Sequence, residues 1–277
     1  MTTKVAIVGY GRVGKVLLKA LPLAGWEVAA LVTRQEVQGT KCSVLSSIKD
    51  LPDDVGLVIL CLRDKDIAQA LLDIQKSEIS NQKFLCHTAG PQSAETLAPA
   101  RDKGWQVMSW HPMQTFTGDD DVSILQGITF GIDGDETAVL VGERLARDLG
   151  GVPYRVPPEL RREYHLGAVI ACNLLIGLVG EAVELLKSTG MDEARALQAV
   201  TPLMQATIAN IARKGLTESI TGPVLRGDTA TIERHLETLR QFPEAEKLYG
   251  LLSLALVKRL GDDVDRGALR EMLEKQQ

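Results

Sequence analysis

The sequence has few aromatic residues and no excess of positive charge. Phe, Trp and Tyr make up 4% of its 277 residues, and the formal net charge is -5. A protein that binds nucleic acid or an anionic membrane needs a basic face, so this composition argues against both kinds of partner. Hydrophobic residues make up 45% and charged residues 24%, which is ordinary for a globular chain and argues against general disorder.

Cysteine and histidine are also scarce, and their spacing excludes several kinds of site. The four cysteines are too far apart for a CxxC pair, and three lie in apolar runs, which favours a reducing compartment; they are Cys42, Cys61, Cys86 and Cys172. No His or Cys pair has metal-ligand spacing, so we predict no metal site. A serine nucleophile motif is absent too. The first strand begins within a few residues of Met1, which leaves no room for a signal peptide, so we expect a cytoplasmic protein.

The chain has one long apolar run, from residue 166 to 180, in which Asn173 is the only polar side chain. The run is shorter than the roughly 20 residues of a membrane span. A helix that is apolar on all sides is normally buried. We therefore expect burial in a helical bundle, in part against a second subunit, and predict a homodimer formed through this part of the chain.

A strand-like run at the N-terminus leads directly into a glycine-rich turn. Residues 4–14 read KVAIVGYGRVG, with the spacing G-x-G-x-x-G at Gly9, Gly11 and Gly14. In a dinucleotide-binding turn, the three glycines permit the tight turn, the approach of the phosphates and the packing of the next helix. The positive end of that helix, 12–21, would face the pyrophosphate. We predict cofactor contacts here that include Tyr10, Arg12 and Val13, with a purely structural glycine turn as the alternative.

The first half of the chain alternates strand-like runs with helical or loop segments, as in a doubly wound α/β sheet. The strand-like runs are 4–9, 28–33, 56–62, 83–87, 106–110 and 128–132, followed by a helix at 138–149 and an extended piece at 152–156. This order predicts a dinucleotide-binding Rossmann domain over 1–156. The boundary is placed near Pro157 and Pro158.

From residue 159 onward the apolar spacing is helical, which predicts an all-α substrate and dimerisation domain over 157–277. The expected helices are 159–188, 192–200, 202–213, 228–241, 244–260 and 265–275. Their expected N-caps are Asp192, Thr201, Asp228 and Asp265.

Residues that follow the strands should share one sheet edge, where ligands of open α/β sheets bind. Thr33 and Arg34 follow the second strand. An arginine there suits a 2′-phosphate, which favours NADP(H) over NAD(H), although a solvated arginine is the alternative. Further cofactor contacts on this edge are expected from Leu62, Arg63, Thr88 and Ala89.

Three groups of residues are candidates for the chemistry. His111 follows a strand, and a histidine with a pKa near neutrality can move a proton at a carbonyl; a hydrogen-bonded loop histidine is the alternative. His165 and Asn173, eight residues apart on one predicted helix, could flank a cleft, or Asn173 could be a core amide. The turn-rich segment 221–228 suits an anionic substrate, with Thr221, Arg226 and Asp228 as contacts, although Asp228 also suits an N-cap.

Taken together, GYGRVG at 9–14, HPMQTF at 111–116, the helix from His165 to Asn173 and TGPVLRGD at 221–228 resemble a known family. Its members join a Rossmann-like NADP-binding domain to a helical domain of unknown function, in the 6-phosphogluconate dehydrogenase C-terminal-like group. Pyrroline-5-carboxylate reductase, ketopantoate reductase, 3-hydroxyisobutyrate dehydrogenase and prephenate dehydrogenase are relatives. The resemblance implies a two-domain dimer, with Thr88 and His111 similar to catalytic positions of prephenate dehydrogenases.

The sequence departs from this group at one position. Some members carry a catalytic lysine four residues before the helical asparagine, whereas this chain has Val169 there and His165 one turn earlier. The first hypothesis is an NADPH-dependent oxidoreductase acting on a small carboxylate-bearing carbonyl or imine, ketopantoate being a candidate. In it, Arg226 orients the carboxylate, His111 or His165 moves the proton, and Asn173 holds the carbonyl oxygen. The alternatives are a non-catalytic NADP(H) sensor and a prephenate or arogenate dehydrogenase.

Overall fold

The computed structural model describes residues 3–77, 83–261 and 267–274. The chain divides into two compact units, 1–172 and 173–277. The division lies later than the sequence suggested, because the helix that follows Pro158 belongs to the first unit, where Arg161 pairs with Asp133 of the sheet.

The first unit is built on an eight-stranded sheet in the order β3-β2-β1-β4-β5-β6-β7-β8. The strands are β1 Lys4–Val8, β2 Val28–Val32, β3 Ser43–Leu45, β4 Val55–Leu60, β5 Phe84–His87, β6 Gln106–Pro112, β7 Thr129–Gly134 and β8 Val152–Arg155. Every pairing is parallel except that of β6 with β7. The doubly wound α/β prediction is confirmed. The sequence missed β3, because only three residues form it and it begins with an exposed serine and an exposed valine.

The alternation of side chains along each strand gives the sheet two apolar faces. One face packs against α1 (Arg12–Leu23) and α3 (Glu136–Asp148), and it carries residues such as Ile7, Ile59 and Trp110. The other packs against α2 (Asp64–Lys76) and a 3-10 helical segment, Ala94–Lys103. Helices on both faces are what parallel strands require, since parallel sheets are buried on both sides.

The segment after β8 forms two helices, α4 (Arg161–Ala171) in the first unit and α5 (Asn173–Lys187) in the second. The sequence predicted a single helix over 159–188. The chain leaves regular helical geometry at Cys172, with φ -119° and ψ -68°. His165 and Asn173 therefore lie on different helices in different units, and the predicted spacing along one axis does not apply.

The second unit is helical over its described residues, as predicted. It contains α5, α6 (Glu193–Lys214), α7 (Gly222–Arg226), α8 (Thr229–Leu239), α9 (Pro243–Leu260) and α10 (Gly267–Glu274). The predicted break at 200–202 is wrong, because α6 continues through Pro202.

Side chains cap two of these helices as expected. Asp192 accepts a hydrogen bond from Arg195 N, and Asp228 accepts one from Thr231 N. The predicted cap Thr201 instead lies within α6 and donates its hydroxyl to Leu197 O. Asp265, the fourth predicted cap, lies outside the described residues.

The apolar run 166–180 is not buried within the chain. Asn173 is exposed, and so are Leu166, Ile170, Leu174 and Ile176. The segment 158–187 is also long and apolar enough for a membrane span, with a window of mean hydropathy 2.0 of which 6% is buried. The length of this segment therefore does not distinguish it from a membrane span, contrary to the argument made from the sequence. One helix of this kind is weak evidence for a membrane, since helices of water-soluble proteins meet the same criterion.

Candidate cofactor and substrate site

The turn after β1 has the backbone of a phosphate-binding glycine turn. Gly9 has φ 103°, a left-handed conformation that favours glycine, and a Cβ there would overlap the carbonyl oxygen of Cys61. A Cβ on Gly14 would overlap the carbonyl oxygen of Gly9, which is how the third glycine lets α1 pack closely. Gly11 has open space above it and an extended backbone with φ -80°. The tight turn at Gly9 and the close helix packing at Gly14 have the predicted geometry, while the phosphate contact at Gly11 stays a prediction.

The first turn of α1 carries no acidic side chain of its own. Gly11 is its N-cap and offers no side-chain acceptor, and the first turn contains no acidic residue. The backbone N–H groups of the first turn therefore keep their capacity to bind an anion. Arg12 begins the helix, and Lys15 lies over the ring of Tyr10 at 5.6 Å from its centroid. An open glycine cradle beside an uncapped helix end fits a pyrophosphate.

Thr33 and Arg34 directly follow β2, at the edge that the sequence predicted. The Thr33 hydroxyl accepts a hydrogen bond from Gln35 N at 3.1 Å and so shapes the turn. Arg34 is exposed, and no ion pair of its side chain is seen with the described part of the chain. Its guanidinium is thus available to a 2′-phosphate.

The neighbouring strands β4 and β5 end beside the glycine turn. The side chain of Leu62 comes within 3.0 Å of the Cβ position of Gly9. Arg63 donates from Nε to Asp66 at 2.7 Å, so its side chain is occupied within α2. Thr88 donates its hydroxyl to Leu60 O at 3.4 Å, and Ala89 is buried beside it. Leu62, at the end of β4, and Thr88 and Ala89, at the end of β5, therefore form a rim along the sheet edge, while the Arg63 side chain is used within α2.

Beyond this rim, one face of the sheet turns from apolar to polar. In the sheet register, His87 of β5 lies beside Ser109 of β6, and Ser109 lies beside Asp133 of β7. All three are buried, with His87 and Ser109 at 0% exposure. They continue the face that farther back carries Leu85 and Val107, since side chains alternate along a strand. Three strands thus carry a polar row at their edge.

Arg161 of α4 covers this row. Its Nε donates to Asp133 at 2.6 Å, and its Nη2 donates to Ser109 Oγ and to Gly131 O, the latter at 3.0 Å. Asp133 also accepts from Ala94 N at 2.7 Å. The ion pair is fully buried, with side-chain exposures of 1% and 3%. The guanidinium fixes α4 on the sheet and places a permanent positive charge under the site.

The next row along the same face carries His111, opposite Gly131. Tyr164 occupies the space where Gly131 has no side chain, with Cζ and Oη 2.5 Å from the position of a Cβ. The ring of His111 makes edge contacts with Tyr164 at 5.7 Å and with His165 at 5.8 Å between centroids. Gly90 lies under both imidazoles: a Cβ there would overlap His165 Nδ1 and come within 3.0 Å of His111 Nε2. The fold thus brings together His111 and His165, which are 54 positions apart in the chain.

Burial changes the protonation of this cluster. It lowers the pKa of His111 to about 3, and the charge of Arg161 and the neighbouring histidines add to the effect. Burial also lowers the pKa of His87 and raises that of Tyr164 to about 12. His111 is therefore neutral at physiological pH. The sequence-based argument, which gave it a pKa near neutrality, is wrong on this point because it ignored desolvation.

The remaining predicted residues lie in the second unit. Asn173 begins α5 and is exposed. Thr221 precedes α7, and Arg226 ends it with its side chain 62% exposed and 4.0 Å from Asp228. Asp228 caps α8, and hydrogen bonds from Thr231 lower its pKa. The geometry of Asp228 is that of an N-cap, which was the structural alternative.

Sequence reasoning missed four residues of the cluster: Ser109, Asp133, Tyr164 and Arg161. A signal was present for two of them, because a serine and an aspartate interrupt apolar strands at positions that face the core. Nothing in the sequence indicates that Arg161 reaches them. Among the described residues, no cluster of His, Cys, Asp or Glu could hold a metal ion.

Comparisons with known proteins agree with this architecture. Residues 128–256 match a family described as Domain of unknown function (DUF2520). No curated protein matches the chain. A Bacteroides fragilis protein described as a candidate NADP oxidoreductase is similar in structure, with 24% identity and a TM-score of 0.74, over 93% of this chain and 98% of the other.

Two further solved structures are similar over nearly their whole length. Protein TM1727 from Thermotoga maritima has 24% identity and a TM-score of 0.73, over 92% of this chain and 98% of its own. The Plasmodium falciparum pyrroline carboxylate reductase, solved with NADP bound, has 10% identity and a TM-score of 0.62, over 94% and 98%. The chain therefore has the fold of this group, a Rossmann domain followed by a helical domain.

Proposed function

We propose that the protein is an NADP(H)-dependent cytoplasmic oxidoreductase that acts on a small carboxylate-bearing carbonyl or imine compound. The observation that carries the proposal is the glycine cradle at the uncapped end of α1, which lies on the same sheet as a buried histidine cluster. The similar structures named as an NADP oxidoreductase and as a reductase with NADP bound support it.

The proposed cofactor site rests on groups that can bind phosphate. Gly9, Gly11 and Gly14 leave the backbone accessible, and the first turn of α1 offers N–H donors. Arg34 supplies a cation for the 2′-phosphate, and Arg12 supplies a second at the pyrophosphate. When bound, NADPH would supply the hydride.

The substrate side rests on His111 and His165. A neutral imidazole can donate a hydrogen bond to a carbonyl oxygen or an imine nitrogen and so polarise it, without carrying a positive charge itself. Because the pKa of His111 is about 3, His111 is neutral, and the histidine pair is proposed to act through such a neutral donor rather than through a protonated His111. Asn173 and the exposed Arg226 are proposed to hold the carbonyl oxygen and the carboxylate, and Thr221 is a further proposed contact.

The test combines binding with turnover. Purified protein is titrated with NADPH by calorimetry, and the oxidation of NADPH is then followed with 2-oxo acids including ketopantoate, with cyclic imines and, in the reverse direction with NADP, with prephenate. We expect binding at micromolar concentration and turnover with at least one compound. Absence of NADPH binding at millimolar concentration would refute the proposal.

The second candidate is a non-catalytic NADP(H) sensor. It is favoured by Val169, which stands where related enzymes have lysine, and by the low pKa of His111, which leaves His111 unprotonated at neutral pH. Tight NADPH binding without turnover across the whole panel would support the sensor over the enzyme.

We also propose that the protein is a homodimer joined through the helical unit. Grooves of 510 Å³ lie on both sides of α5, and they are lined mainly by aliphatic side chains of α5, α6, α8 and α9. Exposed apolar side chains such as Leu174, Ile176, Leu203 and Ile208 extend them. An apolar surface of this extent is unusual on a monomer. Light scattering should give twice the mass of one chain, and Ile176→Glu should lower it, whereas a monomeric wild type would contradict the proposal.

A further inference from the structure

The buried cluster around His111 contains several polar atoms to which the described residues supply no hydrogen-bond partner. Three of them belong to one patch on α4 and β6: Arg161 Nη1, His165 Nδ1 and His111 Nδ1. Each is fully buried and makes no hydrogen bond to a residue that the structure describes. Buried polar atoms in native proteins are almost always satisfied, by protein, water or ligand. A connected hydrogen-bonded chain through this patch is therefore expected.

Arg161 determines the direction of such a hydrogen-bonded chain. A guanidinium has only donors and stays charged. Any group that meets Nη1 must accept, and a water that accepts from it turns its own hydrogens outward. Nη2 and Nε are already used by Ser109, Gly131 and Asp133, so Nη1 is the donor that remains. The charge of Arg161 also acts on His111, and a second positive charge there would be repelled.

The two imidazoles are arranged to continue the chain. His111 Nε2 and His165 Nδ1 both approach the same point above Gly90, where a side chain would overlap them. The ring of His111 is held edge-on between Tyr164 and His165. If His111 Nδ1 accepts, the ring is neutral and its single hydrogen is on Nε2. Since Nε2 of His111 and Nδ1 of His165 both lie close to the point above Gly90, a single water that accepts from Nε2–H can donate to Nδ1, which places the hydrogen of His165 on Nε2.

We propose that Arg161 is a positioning residue that fixes the neutral forms of His111 and His165 with their hydrogens on Nε2. The hydrogen-bonded chain runs outward from Arg161 to His111 and on to His165 through single waters, since none of these buried nitrogens bonds directly to another. It ends at His165 Nε2–H, which is the donor presented to the carbonyl oxygen or imine nitrogen of the substrate. This substrate role rests on the proposed function, whereas the hydrogen positions do not.

The groups that face His111 come from two elements. They are Arg161, Tyr164 and His165 from α4 and His87 from β5. None is an anion, so nothing among them favours a protonated His111. Asp133, the nearest buried carboxylate of the cluster, is held by Arg161 and Ala94 N.

The test is nitrogen-15 NMR of the histidine side chains in the full-length protein without NADP(H). The chain has four histidines, so each signal can be assigned by replacing one at a time with Gln. In the wild type, we expect His111 to be neutral from pH 8 to pH 5, and the neutral forms of His111 and His165 to carry their hydrogen on Nε2. A wild-type His111 with its hydrogen on Nδ1, or one that titrates above pH 5, would overturn the proposal without any variant.

Variants then test the role of Arg161. In Arg161→Met, and in the volume-matched double variant Arg161→Met/Asp133→Leu, the titration midpoint of His111 should rise by about one pH unit, and the Nε2–H form should lose its dominance. The control Arg155→Met removes an exposed arginine that pairs with Glu136 and Glu143 and should leave both histidines unchanged. Unchanged histidine signals in both Arg161 variants would refute the positioning role.

The outcome is separable from the proposed function. Hydrogen positions as predicted, in a protein that does not bind NADPH, would uphold the role of Arg161 and refute the oxidoreductase. NADPH oxidation with His111 protonated on Nδ1 would do the reverse.

Discussion

The buried ion pair between Arg161 and Asp133 allows a sharp prediction about stability. Both side chains are at most 3% exposed, and among the described residues the carboxylate has one further partner, Ala94 N. Removing one member of a buried pair leaves an uncompensated charge and typically costs about 3–5 kcal/mol. Arg161→Met and Asp133→Leu should each lower the free energy of unfolding by about that amount.

The double variant should be far more stable than the two single changes suggest. Replacing both members by apolar side chains removes the stranded charge and is often neutral or stabilising. Loss of the acceptor for Ala94 N still costs about 1–3 kcal/mol. We therefore expect Arg161→Met/Asp133→Leu to lose at most about 3 kcal/mol, which gives a coupling energy of at least about 3 kcal/mol in the double-mutant cycle.

Urea denaturation followed by tryptophan fluorescence measures this cycle. The three tryptophans, Trp26, Trp105 and Trp110, are all buried in the first unit, so the signal reports on the unit that contains the ion pair. At a slope of about 1–3 kcal/mol per molar urea, each single variant should shift the midpoint by at least about 1 M.

The control for the cycle is Arg155→Met, which breaks the ion pairs of an exposed arginine with Glu136 and Glu143 and should change the stability far less, since ion pairs at the surface contribute little. Single variants that lose less than 1 kcal/mol, or a double variant that loses the sum, would refute the reasoning.

Three further predictions concern the cofactor turn and the histidine. Gly14→Ala should weaken NADPH binding by about tenfold or more, because the Cβ of the new alanine displaces the carbonyl of Gly9. The control Gly177→Ala, in open space on α5, should leave NADPH binding unchanged. Calorimetry measures binding to both variants. Arg34→Ala should weaken NADPH binding by roughly 10- to 100-fold and leave NADH binding unchanged, and equal losses for the two cofactors would contradict a 2′-phosphate contact. The folded-state pKa of His111, about 3, lies below the unfolded value of about 6.5, so the unfolded chain binds the extra proton between these values. Stability should therefore fall by up to about 2 kcal/mol from pH 7 to pH 5, and His111→Gln should flatten this dependence in urea titrations at each pH.

The glycine turn and the order of elements could be predicted from the sequence because their causes are local. Gly9, Gly11 and Gly14 have the spacing that a strand, a tight turn and a helix impose on neighbouring residues. Alternating strand and helix patterns gave the α/β class, and the caps Asp192 and Asp228 follow from short-range hydrogen bonds. The prediction failed where a local signal was weak, as in the short β3, or misleading, as at Pro202, which α6 accommodates.

The composition of the histidine cluster was decided by the tertiary structure. Arg161 lies 28 positions from Asp133 and 52 positions from Ser109 in the sequence. Only the sheet register and the packing of α4 bring the three residues together. The same packing removes water from His111 and lowers its pKa. This shift cannot be predicted from the presence of a histidine in the sequence. The backbone conformation of a short turn depends on residues that are neighbours in the sequence, so the sequence by itself determined the glycine turn. Burial and charge proximity arise only when distant segments meet, so the protonation of the site depended on the fold.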